Sequence, residues 1–462
     1  MQKFYFYNTP VRKVEEFVPI VPGKVGIYSC GPTVYWSPHL GNMYAYICWD
    51  VLVRSLRYVG YDVSWVMNIT DVGHLTDDSD TGEDKMEKGA KREGVSVWDV
   101  AKKYTDEFLE NLRVLNIKTP DVLCKATDNI KEQIYLIKKM EEKGFTYKID
   151  DGIYFDTSKF SGYADFGHLN IEQMKEGARV EVNTQKRNPV DFALWKFSPP
   201  VVAGQAKRQM EWESPWGVGF PGWHIECTAM STKYLGNHFD IHTGGEDHIP
   251  VHHTNEVAQA YGAFGQNIAN FWIHNAFITI NSEKMSKSKG GFATILELSK
   301  TYEPMAFRYL SVSSNYKRGL DFSEESMIGA SSSLKGLKKH IESLGKEEGS
   351  VLTVFRDKFV EKLSDNLSMS EAMAVVYEML KSDSKPQDKL ATWLDFDKVL
   401  GFDFKFEEEV VPEEVGKLAV LRLEAKKSKD WARADELRDK ISSMGYSIED
   451  TGDSYVVKRL TV

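Results

Sequence analysis

Apolar positions near the N-terminus change their spacing twice within fifty residues. Residues 25–30 form a short apolar run of strand type, which the pair Gly31 and Pro32 ends. From about Gly41 the apolar residues recur at helical spacing until Gly60, and residues 62–69 form a second strand-like run. Strand, helix and strand in this order predict a parallel crossover unit, whose ligand crevice lies at the carboxyl ends of its strands.

The last third of the chain shows a different pattern. Residues 326–344 and 356–380 are amphipathic at helical spacing, which favours an all-α bundle. Residues 426–440 carry more basic than acidic side chains, and residues 444–451 lead into a predicted hairpin. The pattern therefore predicts an α/β domain followed by a helical region and a small, locally basic tail.

Composition limits the classes to which the chain can belong. It has 462 residues, of which 42% are hydrophobic and 12% aromatic, enough for two or three domains with sizeable cores. No apolar stretch approaches the about 18 residues of a membrane span, and the start lacks the apolar core of a signal peptide, so we expect a cytoplasmic protein without a membrane partner. A net charge of -10 argues against promiscuous nucleic-acid binding but leaves room for one defined RNA.

Two motifs carry candidate nucleotide chemistry. Residues 39–42 (His-Leu-Gly-Asn) fall at the predicted crevice, where a phosphate can meet a helix N-terminus. Residues 284–288 (Lys-Met-Ser-Lys-Ser) place two ammonium groups where a glycine-flanked loop can neutralise charge on a leaving pyrophosphate. Each motif alone is more typical of a surface loop. Together they resemble the paired signatures of class I aminoacyl-tRNA synthetases, although those usually have a second His where this chain has Asn42.

The four cysteines are too few for a disulfide framework in so long a chain. Cys30 ends the first strand and Cys227 ends a Pro-Gly-Trp-His-Ile-Glu-Cys run, while Cys48 and Cys124 are most simply structural. His252 and Glu256 are four positions apart in a helical pattern and so share one face. Two thiolates, an imidazole and a carboxylate make a reasonable zinc set. From spacing alone, core cysteines and a solvated helical face remain open alternatives.

Several segments in order along nearly the whole chain are similar to the cysteinyl-tRNA synthetase family. They are residues 28–35, 68–71, 186–195, 221–227, 235–242, 244–247 and 252–256. The resemblance implies one zinc ion per chain, held by Cys30, Cys227, His252 and Glu256 at the floor of the amino-acid pocket, where it selects the thiolate of cysteine over serine. It also implies that Thr70, Trp223 and Asp247 line that pocket. Such a site can discriminate by about 10⁴ in one step without editing.

The same resemblance implies an activity in two steps. The carboxylate of L-cysteine attacks the α-phosphorus of ATP, which carries Mg²⁺, and the terminal ribose hydroxyl of tRNA(Cys) then attacks the cysteinyl adenylate. Catalysis would rest on positioning and charge stabilisation. The expected catalytic residues are His39, Asn42, Lys284 and Lys287. The expected ATP-binding residues are His39, Gly41, Asn42, Gly244, Gly245 and Lys287.

The resemblance also divides the chain. It implies a Rossmann-like catalytic domain in two halves (1–119 and 222–291) around a connective insertion (120–221), then a stem-contact segment (292–335), a helical bundle (336–410) and an anticodon-binding tail (411–462). In the tail, Lys426, Asp435, Arg438 and Asp450 are candidate tRNA contacts. The acidic residues between 77 and 84 are expected to be a solvated loop. Nothing in the sequence demands a dimer, so we expect a monomer.

Two other functions remain open from the sequence. A related ligase activates cysteine through the same adenylate but passes it to an amino sugar, and that family lacks an anticodon module. A non-catalytic RNA-binding relative is suggested by Asn42 in place of the family histidine. The tail argues against the first alternative, and the two lysines of residues 284–288 argue against the second.

Overall fold

Strands and helices alternate through the first 300 residues, and helices predominate afterwards. The computed structural model describes residues 2–73, 84–170, 183–199, 208–280, 283–284, 294–347, 349–404, 412–451 and 454–459. The strands are β1 (Phe4–Asn8), β2 (Lys13–Phe17), β3 (Lys24–Ser29), β4 (Asp62–Ile69), β5 (Val122–Lys125), β6 (Thr146–Ile149), β7 (Gly152–Phe155), β8 (Phe192–Phe197), β9 (Gly219–Pro221), β10 (Phe239–Gly245), β11 (Ala269–Asn275), β12 (Ile278–Ile280), β13 (Glu283–Lys284), β14 (Leu320–Phe322), β15 (Tyr446–Thr451) and β16 (Ser454–Arg459). The helices are α1 (Leu40–Tyr58), α2 (Lys85–Glu93), α3 (Val97–Val114), α4 (Ile130–Glu142), α5 (Trp223–Leu235), α6 (Thr254–Phe264), α7 (Ile295–Leu298), α8 (Pro304–Val312), α9 (Glu324–Ser343), α10 (Thr353–Ser364), α11 (Met369–Lys381), α12 (Pro386–Leu400), α13 (Glu413–Lys427) and α14 (Trp431–Ser443).

A parallel sheet of order β11-β10-β3-β4-β5 lies at the centre of the first unit, Met1–Asp403. Its strands are apolar and largely buried because helices cover both faces of a parallel sheet. The chain leaves β3 toward β4 on one side and returns as β10 on the other. This reversal opens a crevice at the carboxyl ends of β3 and β10, and the predicted Rossmann-like crossover is confirmed.

A buried network of charges ties α1 to the helices that follow. Asp50 on α1 accepts hydrogen bonds from Arg54 at 2.7 Å and from Arg308 of α8 at 2.6 Å. Arg308 is fully buried and also donates to the carbonyl oxygens of Leu115, at 2.9 Å, and Leu400, at 2.8 Å. One guanidinium therefore joins four segments and fixes the helix that starts at the predicted nucleotide motif.

The segment between the two halves of the parallel sheet contains an antiparallel sheet of order β6-β7-β8-β9. Its buried residues continue the same hydrophobic core that covers β3, α5 and α6, as Phe155, Leu194 and Trp195 illustrate. This segment is therefore packed against the parallel sheet and its helices.

Helices α9 to α12 follow, as the apolar periodicity predicts. The run 356–380 is not one helix, however. The chain breaks between α10 and α11, where Asn366 and Leu367 adopt positive φ values of 51° and 51°. Asn366 uses its side-chain oxygen to accept the amide of Tyr7 at 2.8 Å, so a tertiary contact supports the break.

The second unit, Phe404–Val462, has a core of its own. Val415 and Ala419 of α13 and Ile441 of α14 pack with Ile448 of the β15–β16 hairpin. The hairpin predicted after residue 444 is thus present. Within the described part of the chain, no helix is both long and apolar enough to span a bilayer.

Candidate active site

A cleft of about 750 Å³ opens at the carboxyl ends of β3, β4 and β10, and we call it the active-site cleft. The strand ends of a switched parallel sheet converge there, so residues distant in sequence meet. Most of the residues predicted for the site in the first unit line it. They are Cys30, His39, Gly41, Asn42, Thr70, Trp223, Cys227, Gly244, Gly245, Asp247 and His252.

The start of α1 forms one wall through a capping box. His39 Nδ1 accepts the amide of Asn42 at 3.2 Å, and Asn42 Oδ1 accepts the amide of His39 at 3.1 Å. Because Nδ1 is the acceptor, the proton of the neutral imidazole lies on Nε2, which is therefore a donor. A Cβ at Gly41 would lie 3.0 Å from the His39 ring, so any other residue at this position would push against the imidazole. Asn42, the departure from the family motif, closes the helix cap.

The described residues on either side of the loop with the two lysines are Lys284 and Thr294. Lys284 lies in β13, paired with Thr279 of β12, and Thr294 forms a β-bridge with His39. Thr294, where the described chain resumes, therefore lies at the start of α1. Lys287 and the rest of residues 285–288 lie outside the described residues, as do the acidic residues 77–83, whereas Asp84 caps α2.

The four predicted metal ligands are buried together beneath the cleft. Their ligand atoms, from Cys30, Cys227, His252 and Glu256, all lie within 4.8 Å of one another. The two sulfurs are 3.9 Å apart, and His252 Nε2 lies 3.1 Å from Glu256 Oε1. Tetrahedral zinc with sulfur ligands requires a sulfur–sulfur separation of about 3.8 Å. The donor set and its spacing thus fit a metal ion of this kind.

The charges in this cluster depend on one another. Burial raises the pKa of the Cys30 thiol, and its hydrogen bond to Cys227 lowers the pKa of the Cys227 thiol to about 7. Burial opposes ionisation of Glu256, yet the neighbouring His242 and His252 lower its pKa to about 2. Burial also opposes protonation of His252, but Cys227 and Glu256 raise its pKa to about 10. Anionic groups buried this deeply are stabilised by a cation among them.

Further histidines surround the cluster, and no role was predicted for them from the sequence. His242 Nε2 lies 3.0 Å from the second oxygen of Glu256, and His253 Nε2 lies 3.3 Å from Cys30 Sγ. His253 Nδ1 is 2.7 Å from His274 Nε2. Cys30, His242, His253 and Glu256 form a second set of donor atoms within 4.8 Å. His242 and His274 lie inside buried strands, a position unusual for histidine that could have indicated them.

A chain of hydrogen bonds connects the positions next to the two cysteines. The amide of Gly31 donates to Asn68 Oδ1 at 2.8 Å, Asn68 Nδ2 donates to Thr70 Oγ1 at 3.0 Å, and Thr70 Oγ1 donates to Glu226 Oε2 at 3.0 Å. Gly31 follows Cys30 and Glu226 precedes Cys227. Burial raises the pKa of Glu226 well above its usual value. Asn68 and Glu226 therefore link the two cysteine segments, a role that was not predicted from the sequence.

The other predicted pocket residues lie around this floor. The Trp223 ring centre is 4.5 Å from that of His252. Gly244 and Gly245 end β10, and a Cβ on Gly244 would lie 2.5 Å from His253. A Cβ on Gly245 would lie 2.3 Å from Asp247, so a side chain at either position would collide with a neighbouring residue of the site.

The tail candidates fall into two groups. Asp450 accepts both Lys426, at 2.7 Å, and Arg422, at 2.7 and 3.1 Å, and these contacts lower its pKa. Asp435 and Arg438 form a separate exposed pair at 3.8 Å on α14. Arg422, which anchors Asp450, was not among the predicted residues.

Comparisons with known proteins agree with this geometry. The sequence profile described as "tRNA synthetases class I (C) catalytic domain" matches residues 16–332. The chain is 45% identical to cysteine–tRNA ligase 1 of Burkholderia lata (96% of this chain, 94% of that protein) and 41% identical to cysteine–tRNA ligase of Treponema denticola (98% and 99%). Among solved structures, a methionyl-tRNA synthetase of Mycobacterium tuberculosis bound by methionyl-adenylate superposes with a TM-score of 0.57 at 16% identity, over 89% of this chain and 96% of that one. That likeness concerns the fold. The chain belongs to the cysteine–tRNA ligase family of class I aminoacyl-tRNA synthetases.

Proposed function

We propose that this protein attaches L-cysteine to tRNA(Cys) in two steps, with ATP as the energy source and a cysteinyl adenylate as the intermediate. One observation carries the proposal. A buried cluster of two thiols, an imidazole and a carboxylate lies in the same cleft as a capped helix start of nucleotide-binding type. The first part suits a thiol substrate on a soft metal, and the second suits phosphates.

Cys30, Cys227, His252 and Glu256 would hold the metal, for which we propose zinc. A zinc ion in this site would coordinate the thiolate of the substrate cysteine and discriminate against the hydroxyl of serine. His242 and the chain from Asn68 to Glu226 would keep the ligands in register. We propose that Thr70, Trp223 and Asp247 surround the amino acid from the side of the cleft.

The protein's part in the first step would be to position the two substrates and stabilise charge. The protonated Nε2 of His39 can donate to a phosphate oxygen, while Asn42 holds the orientation of that ring through the cap. Gly41, Gly244 and Gly245 allow the nucleotide to approach the backbone. Lys284 and Lys287 would neutralise the leaving pyrophosphate, with Mg²⁺ accompanying ATP.

The second step requires the terminal ribose hydroxyl of tRNA to reach the adenylate. We propose that the tail holds the anticodon, with Lys426, Asp435, Arg438 and Asp450 as candidate contacts. The division of the chain at residues 119, 221, 291, 335 and 410 stays a prediction. We place the enzyme in the cytoplasm as a monomer, where its four free thiols suit a reducing compartment.

Isotope exchange between pyrophosphate and ATP tests the proposal. Purified protein should support exchange with cysteine, should support it at least about 10⁴-fold less with serine, and should lose it when a chelator removes the metal. Equal exchange with serine, or exchange that resists metal removal, contradicts the metal-based selection. Exchange without charging of tRNA would favour the ligase that acts on an amino sugar, and absence of exchange would favour an RNA-binding relative.

A further inference from the structure

One basic helix face borders the active-site cleft and has no role in the activation step proposed above. Lys85, Lys88 and Arg92 of α2 line the cleft, and we call them the α2 strip. Their spacing of three and four residues places them on one face of the helix, over about 10 Å along its axis. Met86 and Ala90 are buried, so the helix packs with its apolar side and presents its basic side.

The inner end of the strip lies at the proposed amino-acid pocket. Lys85 Nζ is 5.4 Å from the centre of the Trp223 ring, and that ring is 4.5 Å from the ring of His252. The strip therefore begins beside the pocket in which the adenylate's carbonyl carbon would lie.

The outer end of the strip supports an aromatic platform. The Arg92 guanidinium lies 3.8 Å over the ring of Trp36, which also lines the cleft and is 48% exposed. Arg92 is itself held by the carbonyl of Tyr35, at 3.2 Å, and by Glu93, at 2.9 Å. These contacts orient the guanidinium and thereby the Trp36 indole that it covers. The other part of this indole is exposed at the mouth of the cleft.

The charge of the strip is only partly neutralised. Among the residues that the structure describes, no carboxylate lies within ion-pair distance of Lys85 or Lys88. The chain as a whole carries a net charge of -10, so two lysines on a cleft wall without an ion pair to a described carboxylate are a local exception. Such cations attract phosphate groups, and an exposed aromatic ring stacks with unpaired bases of any sequence.

We propose that the α2 strip and Trp36 receive the single-stranded 3′ end of the tRNA as it enters the cleft. The inference rests on the proposed function, because the second step needs a ribose hydroxyl delivered to the amino-acid pocket. Lys88 contacts a backbone phosphate, Trp36 stacks with an unpaired base, and Lys85 meets the strand beside Trp223. In this proposal His39 and residues 284–288 contact the phosphates of ATP. ATP and tRNA, the two anionic substrates, therefore bind to different walls of the cleft.

The test compares both half-reactions in the full-length protein. We would make Lys88→Glu and Trp36→Ala, with Trp36→Phe as the conservative rescue and Lys102→Glu as the matched charge control. Lys102 is exposed on the neighbouring α3 and does not line the cleft. Cysteine-dependent pyrophosphate exchange should stay within about twofold, while the KM for tRNA rises about tenfold for Lys88→Glu and for Trp36→Ala. The slope of the logarithm of the tRNA binding constant against the logarithm of the salt concentration should become shallower by about 0.7 to 1, and only for Lys88→Glu.

A truncated substrate separates a direct contact from a general loss of structure. Binding of tRNA that lacks its last four nucleotides should be equally tight for wild type and Lys88→Glu, because the proposed contact is already gone. An equal penalty with intact and truncated tRNA would overturn the proposal. A parallel loss of exchange would also overturn it, since the strip would then serve ATP. Failure of the wild type to exchange at all would instead count against the proposed function.

Discussion

Replacing Asn68 with Ala is expected to loosen the metal cluster without touching a ligand. Asn68 is 1% exposed and its amide bridges Gly31, next to one cysteine, and Thr70, which in turn binds Glu226, next to the other. The variant keeps the backbone and both thiols. It removes the link that holds their two segments in register.

The size of the effect follows from the two bonds lost. The Gly31 amide and the Thr70 hydroxyl each lose a buried partner, at about 1–3 kcal/mol per group. Part of this cost lowers the free energy of unfolding, and part weakens metal binding. Residues that orient metal ligands change metal affinity by about 10–100-fold when replaced, or about 1.4–2.8 kcal/mol. We therefore expect zinc to bind at least about tenfold more weakly to Asn68→Ala.

Competition with a chromophoric chelator measures that affinity directly, and cobalt substitution reports ligand geometry through its absorption bands. Asn129→Ala is a matched control, because Asn129 is also 1% exposed and also makes two side-chain bonds, to Lys125 O at 2.6 Å and Lys233 Nζ at 2.7 Å. The control should lose stability but keep its zinc affinity. If Asn68→Ala bound zinc as tightly as the wild type, or if Asn129→Ala weakened binding equally, the positioning argument would be refuted.

Three further changes test other parts of the structure. Arg308→Met should lower the free energy of unfolding in urea by about 3–5 kcal/mol, because Asp50 stays buried with less compensation, and adding Asp50→Leu should cost less than the sum of the single effects. Asp450→Asn should speed hydrogen exchange across residues 412–451 at pH 7. The folded state lowers the Asp450 pKa, so the stabilisation by this ion pair is present above about pH 4 and fades as pH falls further. The difference in exchange rate between the variant and the wild type should therefore shrink below about pH 4, and a difference that grew would contradict the ion pair. The free energy of unfolding should change by about 1 kcal/mol because the pair is part-exposed. Gly244→Ala should reduce pyrophosphate exchange at least tenfold because its Cβ would lie 2.5 Å from His253, whereas Gly329→Ala, which meets no atom within 4 Å, should leave exchange unchanged.

The fold was accessible from the sequence where local patterns are strong. The spacing of apolar residues predicted β3, α1 and β4 to within a residue or two, because helix and strand periods depend only on which side chains face a core. The amphipathic run 356–380 spans parts of two helices, and the pattern does not mark where the first ends. Its break at Asn366 depends on a contact with Tyr7, hundreds of positions away, which no local pattern contains.

The site divides in the same way. Residue types and motif order pointed to Cys30, Cys227, His252 and Glu256, and a family resemblance supplied their roles, which stay predictions until metal binding is measured. Their proximity was decided by the parallel sheet, whose reversal between β3 and β10 brings Cys30 to within 3.9 Å of a cysteine 197 positions later. The same tertiary packing places His242, Asn68, Glu226 and the α2 strip beside the metal cluster and the cleft. Which side chains lie next to a site depends on the path of the whole chain, and the local sequence around each residue does not contain that information.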